Sequence, residues 1–338
     1  MTTLLEARYR SVLRLLPAYY RREREEEMVE TYLWDLDRDT QDQSRPTLGE
    51  VASIAALAVR SRLGAAGAPR RYVLLGSSVR LFALFAVLVQ AVTAVVDLAL
   101  ELTWAVSRGG AGRHLFLSQF TDQGLSMALV TAAQWFLPLL WTVAYFALLH
   151  DHRRLAQASA LSAALPALWP LVGPLTGALV APEPVFATAF GLLAWLPALA
   201  LCAAHHRDAP PARLPVGPPG LVFMAGCVVT GGSVVVLPAM ADLAWAPASC
   251  FVVGGLGWFL WQVRGGDAAA PGAGLALAAL GLLILAVRVA ALYPWLQLPL
   301  PAAYLGGALV QTAMLALLTV SLAVVGRRDL IAAEPGLS

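Results

Sequence analysis

The side chains of this chain most able to do chemistry are charged and amide groups set inside long apolar runs. Arg288 lies between Leu275 and Leu292, and an arginine in hydrocarbon costs about 2.5–3.5 kcal/mol on insertion scales unless it is paired or hydrated. Counting about 1.5 Å per helical residue from the inner start of that run puts it roughly 20 Å deep. The same count sets Asp97, Glu101 and Asp242 at similar depth or slightly farther out. Asp97 and Glu101 are four apart and share a helical face, so the spacing predicts a cluster of Arg288 with Asp97, Glu101 and Asp242. Such a cluster is a clamp between helices or a ligand or proton site opening outward; otherwise Arg288 snorkels to the outer headgroups.

Gln90, Gln134 and Gln311 fall near the middle of their runs, where amides bond to neighbouring helices or line a shared polar cavity. Pro166, Pro170 and Pro174 recur every four residues beside Gly173 and Gly177, which predicts a kink or local unwinding. Broken helices at this depth also occur at transport sites, where freed backbone groups coordinate substrates. The pairs Gly231-Gly232 and Gly254-Gly255 predict close helix packing. His150, His152, His205 and His206 sit at helix ends beside Arg153, Arg154 and Arg207, with only Asp151 and Asp208 as carboxylates, and read as polar flanks rather than a metal site. Cys202, Cys227 and Cys250 lack CxxC or Cys/His spacing and read as buried free thiols. A chain without lysine has no GxxxxGK phosphate loop, and HExxH, GxSxG and Gly-rich nucleotide patterns are absent too. The expectation is a non-enzymatic protein without cofactor, metal or catalytic residues.

Membrane helices must position these groups. With 338 residues, 59% hydrophobic and 13% charged, and a mean hydropathy of +0.70, the chain is too apolar for an ordinary soluble domain and takes the lipid bilayer as its solvent. Eight apolar runs cover about 79–104, 125–149, 155–180, 185–204, 221–243, 248–263, 275–292 and 302–325, most near or above the roughly 20 residues that cross the hydrocarbon. The sixth is short. The predicted fold is all-α: a polytopic bundle of about eight transmembrane helices over 79–326, with a small cytosolic three-helix segment before it.

Arginine placement tests that count, because short cytosolic loops are enriched in basic residues. With the N-terminus inside, 20 arginines fall on the cytosolic side and 2, Arg108 and Arg113, outside. This predicts a multi-pass protein of the cell membrane with both termini cytosolic, 327–338 forming the tail. The longest outer loop is about 105–124. The formal charge of +2 says little about partners, and no nucleic-acid partner is expected.

Residues 1–64 read as three amphipathic helices, and 65–78 as a juxtamembrane linker. Leu5, Tyr9, Val12, Leu13 and Leu16 form the first apolar stripe, Tyr20, Met28, Val29, Tyr32, Leu33 and Leu36 the second, and Val51, Ile54, Ala55 and Ala58 the third. Thr47 and Glu50 match a capping box. About 60 residues make a marginal core, which favours docking on the membrane domain or a partner. Tyr9 to Arg21, continuing to Glu25-Glu26-Glu27-Met28, resembles the opening of many actinobacterial membrane proteins, of the kind called a permease prefix or HAAS-like domain; Pro46 to Gly64 is similar to its second block. The resemblance covers about the first 70 residues. It implies cytosolic helices that couple to a protein partner, so the chain is read as an anchor or sensor, with a transporter or permease-like subunit as the alternative.

Overall fold

The computed structural model describes residues 4–34, 45–64, 67–122, 124–168, 184–205, 217–236, 246–264, 270–293, 296 and 302–332. All regular structure among them is helical. Three helices open the chain: α1 Leu4–Leu13, α2 Ala18–Trp34 and α3 Leu48–Arg62. Tyr9, Leu13, Leu16, Val29, Ile54 and Ala58 form their common core, residues drawn from the three expected stripes. At the start of α3 the Glu50 backbone N–H donates to Thr47 Oγ1 at 3.2 Å and the Thr47 N–H to Glu50 Oε2 at 2.7 Å, so the capping box forms with both donors satisfied. Arg10 ties α1 to α2 by donating to both Glu26 oxygens at 2.9 and 2.8 Å.

The bundle follows as α4 Arg70–Ser107, α5 Gly109–Thr121, α6 Leu125–Phe136, α7 Leu140–Leu149, α8 Arg153–Ala164, α9 Pro184–Ala204, α10 Gly217–Val236, α11 Ala246–Val263, α12 Ala273–Leu292 and α13 Ala302–Ala332. A 3-10 turn at Leu137–Leu139, carrying Pro138, joins α6 to α7. The central element is α4. On one side Leu84, Val87, Ala91 and Val92 pack with Tyr145 of α7, Ala160 of α8, Leu201 of α9 and Cys227 of α10. Ala86 joins Phe251 of α11, Leu280 and Ile284 of α12, and Leu315 and Leu322 of α13. Outward-facing side chains are apolar as well, among them Val222, Val253, Leu282, Leu317 and Val320. Apolar surface this continuous exceeds what a water-soluble monomer carries, and marks a membrane protein.

Five helices among the described residues are long and apolar enough to cross a bilayer: Arg70–Ser107, Leu125–Leu149, Ala246–Val263, Ala273–Leu292 and Leu305–Ala332. They match the first, second, sixth, seventh and eighth expected runs. The third run is described only as α8 and a 3-10 turn at Leu165–Leu168, where Pro166, lacking an N–H, takes the chain out of α-helical bonding. Pro170 and Pro174 lie outside the described residues.

Two further boundaries differ from the sequence reading. Helix α4 begins at Arg70, so 70–78 is helical rather than linker. Gly76, Ser77 and Ser78 look like linker residues by composition, but their small side chains let neighbours approach: a Cβ on Gly76 would lie 1.9 Å from the Leu63 carbonyl oxygen, and Ser77 Oγ donates to the Pro271 carbonyl. The stretch 105–124, expected as an outer loop, contains α5, whose Phe116 and Phe120 stand against Trp135 of α6 with ring centroids 5.3 and 6.3 Å away.

The N-terminal helices are thereby seated on the bundle. Leu63 closes α3 with its N–H shared between the Arg60 and Val59 carbonyls, and the Tyr19 ring stands 5.1 Å from that of Tyr72 on α4. Tyr19 Oη also donates to the Ser61 carbonyl at 2.8 Å.

Candidate functional site

A polar cavity in the bundle lies between α4 and the α6–α7 turn. It has a volume of about 380 Å³ and is lined by Asp97, Leu98, Glu101, Gln134, Trp135 and Pro138 among others. Asp97 and Glu101 share a face of α4, as their four-residue spacing requires, and both are exposed at the cavity rim. Gln134 lines it from α6 and Pro138 from the 3-10 turn that follows, and Trp135 is braced by Phe116 and Phe120. Two carboxylates and an amide make an oxygen-rich lining that suits a proton, an ammonium group or a hard cation. No group of three or more potential metal ligands occurs among the described residues.

Of the expected four-residue charge cluster, the described residues bring Asp97 and Glu101 to this one cavity. Asp97 and Glu101 meet Gln134, and no ion pair among the described residues joins them to Arg288. Arg288 is 4% exposed. It continues the buried row Ala276, Leu280, Ile284 and Leu292 on α12, the face that packs on α4 and α13. Asp242 lies outside the described residues. That Gln134 lines one cavity with the carboxylates had a readable signal: Asp97 is ten residues before the end of α4 and Gln134 nine after the start of α6, about 14–15 Å along each helix at 1.5 Å per residue.

The three glutamines do not share a described cavity. Gln311, buried on α13, donates Nε2 to Ser249 Oγ of α11 at 2.8 Å, a cross-helix bond of the packing kind. Gln90 is half-buried on α4. Of the glycine pairs, Gly231 and Gly255 are the packed members: a Cβ on them would lie 2.6 Å from Val96 and 3.0 Å from Leu318, whereas Gly232 and Gly254 face open space. All three cysteines are free, with Cys227 buried and Cys202 and Cys250 partly so.

The histidines separate by burial. His150 and His152 are exposed in the turn between α7 and α8, where Asp151 takes a positive φ of 57° and closes α7: the His152 N–H donates to the Ala147 carbonyl at 2.8 Å and the Asp151 N–H to Leu148 at 3.1 Å. His205, at the end of α9, is 6% exposed, and neither ring nitrogen has a hydrogen-bond partner among the described residues. Its backbone carbonyl accepts from Gln157 Nε2 at 3.2 Å. Burial first, then the positive charges of Arg153 and Arg80, holds its imidazole at about 4. This grouping of His205 with Arg80, Arg153 and Gln157 has no sequence spacing to announce it. His206 lies outside the described residues.

No family model matches the chain, and no curated protein or solved structure is similar enough to it to be matched.

Proposed function

We propose that the chain is a non-enzymatic anchor or sensor of the cell membrane whose cytosolic α1–α3 unit binds a protein partner, with eight crossings and both termini inside. The unit corresponds to the actinobacterial permease-prefix or HAAS-like segment that Tyr9 to Met28 resembles. The observation that carries this reading is the seating of α1–α3 on α4 through Leu63 against Gly76 and Tyr19 against Tyr72. A module held this closely to the central helix passes a partner's load into the bundle, or a bundle rearrangement out to the partner. Glu23, Glu27 and Glu30 are exposed on α2 at spacings of four and three, forming one acidic face suited to a basic partner surface.

A photo-crosslinking residue placed at Glu27 in intact cells tests this. One protein should be captured, and the Glu23→Gln, Glu27→Gln, Glu30→Gln protein, probed from Glu26, should lose that adduct. Equal capture by both, or capture of nothing, would end the proposal. Thiol labelling of Cys introduced at Arg113 from outside the cell and at Arg328 only after permeabilisation checks the orientation.

The Asp97–Glu101–Gln134 cavity favours a second reading, transport of a cation or amine. In vesicles holding the purified protein, such flux should appear and Asp97→Asn should abolish it; its absence from the wild type removes this reading.

A further inference from the structure

A second cavity, of about 490 Å³, lies between α4, α10, α11 and α12. Its lining is apolar and aromatic throughout: Phe85 and Leu88 of α4, Phe223 of α10, Trp258 and Trp261 of α11, and Leu277 of α12 are representative. No hydrogen-bonding pattern selects a polar molecule. The groove opens sideways beside Gly254 and Trp261, both exposed, and the surface around that opening is itself apolar, with Val222 and Val253 each more than two-thirds exposed. A ligand entering here comes from lipid rather than from water. Taking a methylene as about the size of a water molecule, roughly 30 Å³, the volume accepts a chain of about sixteen carbons.

One turn beyond Trp261, which lines the groove, Arg264 is exposed. A guanidinium attracts a phosphate, the charged feature of an anionic glycerophospholipid. Gly254 supplies the remaining observation. A Cβ there would meet nothing within 4 Å, although the residue lines the cavity, so packing between helices does not explain the absence of a side chain; room for a guest does.

We propose that this groove binds one acyl chain of an anionic bilayer phospholipid, its headgroup resting at Arg264. The proposal rests on the membrane reading. Full-length protein, stripped of lipid in neutral detergent and reconstituted into phosphatidylglycerol vesicles, supplies the test. Native mass spectrometry should retain one phosphatidylglycerol per chain. Gly254→Leu, which fills the groove without a clash, should weaken retention by at least about tenfold, the equivalent of two buried methylenes; Gly257→Leu, where a Cβ also meets nothing within 4 Å but the groove is not lined, should not. Arg264→Ala should remove a preference for phosphatidylglycerol over phosphatidylcholine of about fivefold, the value of one basic residue near an anionic headgroup.

Vesicles with brominated acyl chains give a readout that needs no groove-filling variant: wild-type fluorescence should be quenched, and Trp258→Phe should remove part of that quenching. Equal retention by wild type and Gly254→Leu, or a retained molecule other than phospholipid, would overturn the proposal. Protein that does not enter vesicles at all fails the membrane reading, whereas protein that enters and carries no lipid fails this inference alone.

Discussion

Gly76→Ala should unseat the N-terminal helices while leaving α4 intact. The added Cβ would stand 1.9 Å from the Leu63 carbonyl oxygen and 2.6 Å from its carbon, and contacts below 3.0 Å are essentially never populated. The oxygen must therefore retreat by at least about 1.1 Å. No rotamer can absorb that, because the obstructing atoms are backbone; they belong to the residue that closes α3, itself held by two carbonyls and followed by Gly64 at φ 84°. Two effects compete. Alanine in place of glycine inside a helix stabilises by up to about 1 kcal/mol, but this acts on α4, which tertiary packing already holds. Forcing atoms into a packed contact costs about 1–3 kcal/mol, and this falls wholly on the seating. The docked population should drop about 5- to 150-fold relative to undocked. Amide hydrogen exchange of α3 and proteolysis in the Gly64–Gly67 segment read that population directly. Gly110→Ala, where a Cβ meets nothing within 4 Å, is the control. Exchange in α3 unchanged within twofold would refute the claim that this contact couples the two parts.

Three further outcomes are expected. Gly326→Ala should destabilise the α12–α13 contact by about 1–3 kcal/mol, since its Cβ would lie 2.6 Å from the Leu275 backbone nitrogen, while Gly274→Ala, with 3.2 Å to Gly326, should cost less; thermal unfolding in detergent would rank them. Gln311→Leu and Ser249→Ala should each lose about 0.6–2 kcal/mol and the double variant little more than either, because they share one bond. His205 sets an acid limit: its folded value of about 4 lies below the ordinary 6.5, so its contribution is present above pH 6.5 and is lost as pH falls toward 4, about 3 kcal/mol in all. His205→Asn should flatten that limb of the unfolding profile, and an unchanged limb would reassign it.

Local features were legible in the sequence where local physics decides them. Thr47 and Glu50 form their capping box because both partners lie in one turn, and the core residues Leu13, Val29 and Ile54 follow from helical period alone. Arg288 shows the opposite case. Its row on α12 is predictable from spacing, but its neighbours depend on which helices adjoin α12, which no local pattern encodes. Gln134 lies between these cases, since equal depth and consecutive antiparallel helices would have put it beside Asp97. The juxtamembrane stretch was read short because its apolar run starts only near Val79, whereas the helix extends back to Arg70, where Gly76 lets the Leu63 carbonyl approach.

The distribution of helix breakers suits α4 to the coupling role proposed above. Pro138 interrupts the α6–α7 span, Pro166 ends α8 in a 3-10 turn and Pro197 lies inside α9, all helices that pack around α4. From Ser77 to Ser107, α4 has neither proline nor glycine, two of the residues at which helices kink most sharply. Its most apolar window is 56% buried, against 11% for Leu125–Leu149; the helix without these breakers is the more enclosed one. Gly76 and Asp97 are 21 residues apart on it, about 32 Å at 1.5 Å per residue, a distance comparable to the hydrocarbon thickness. On the proposed reading, a tilt imposed where Asp97 and Glu101 line their cavity would reach the Leu63 contact along this one helix, and a partner seated on α1–α3 would feel it there.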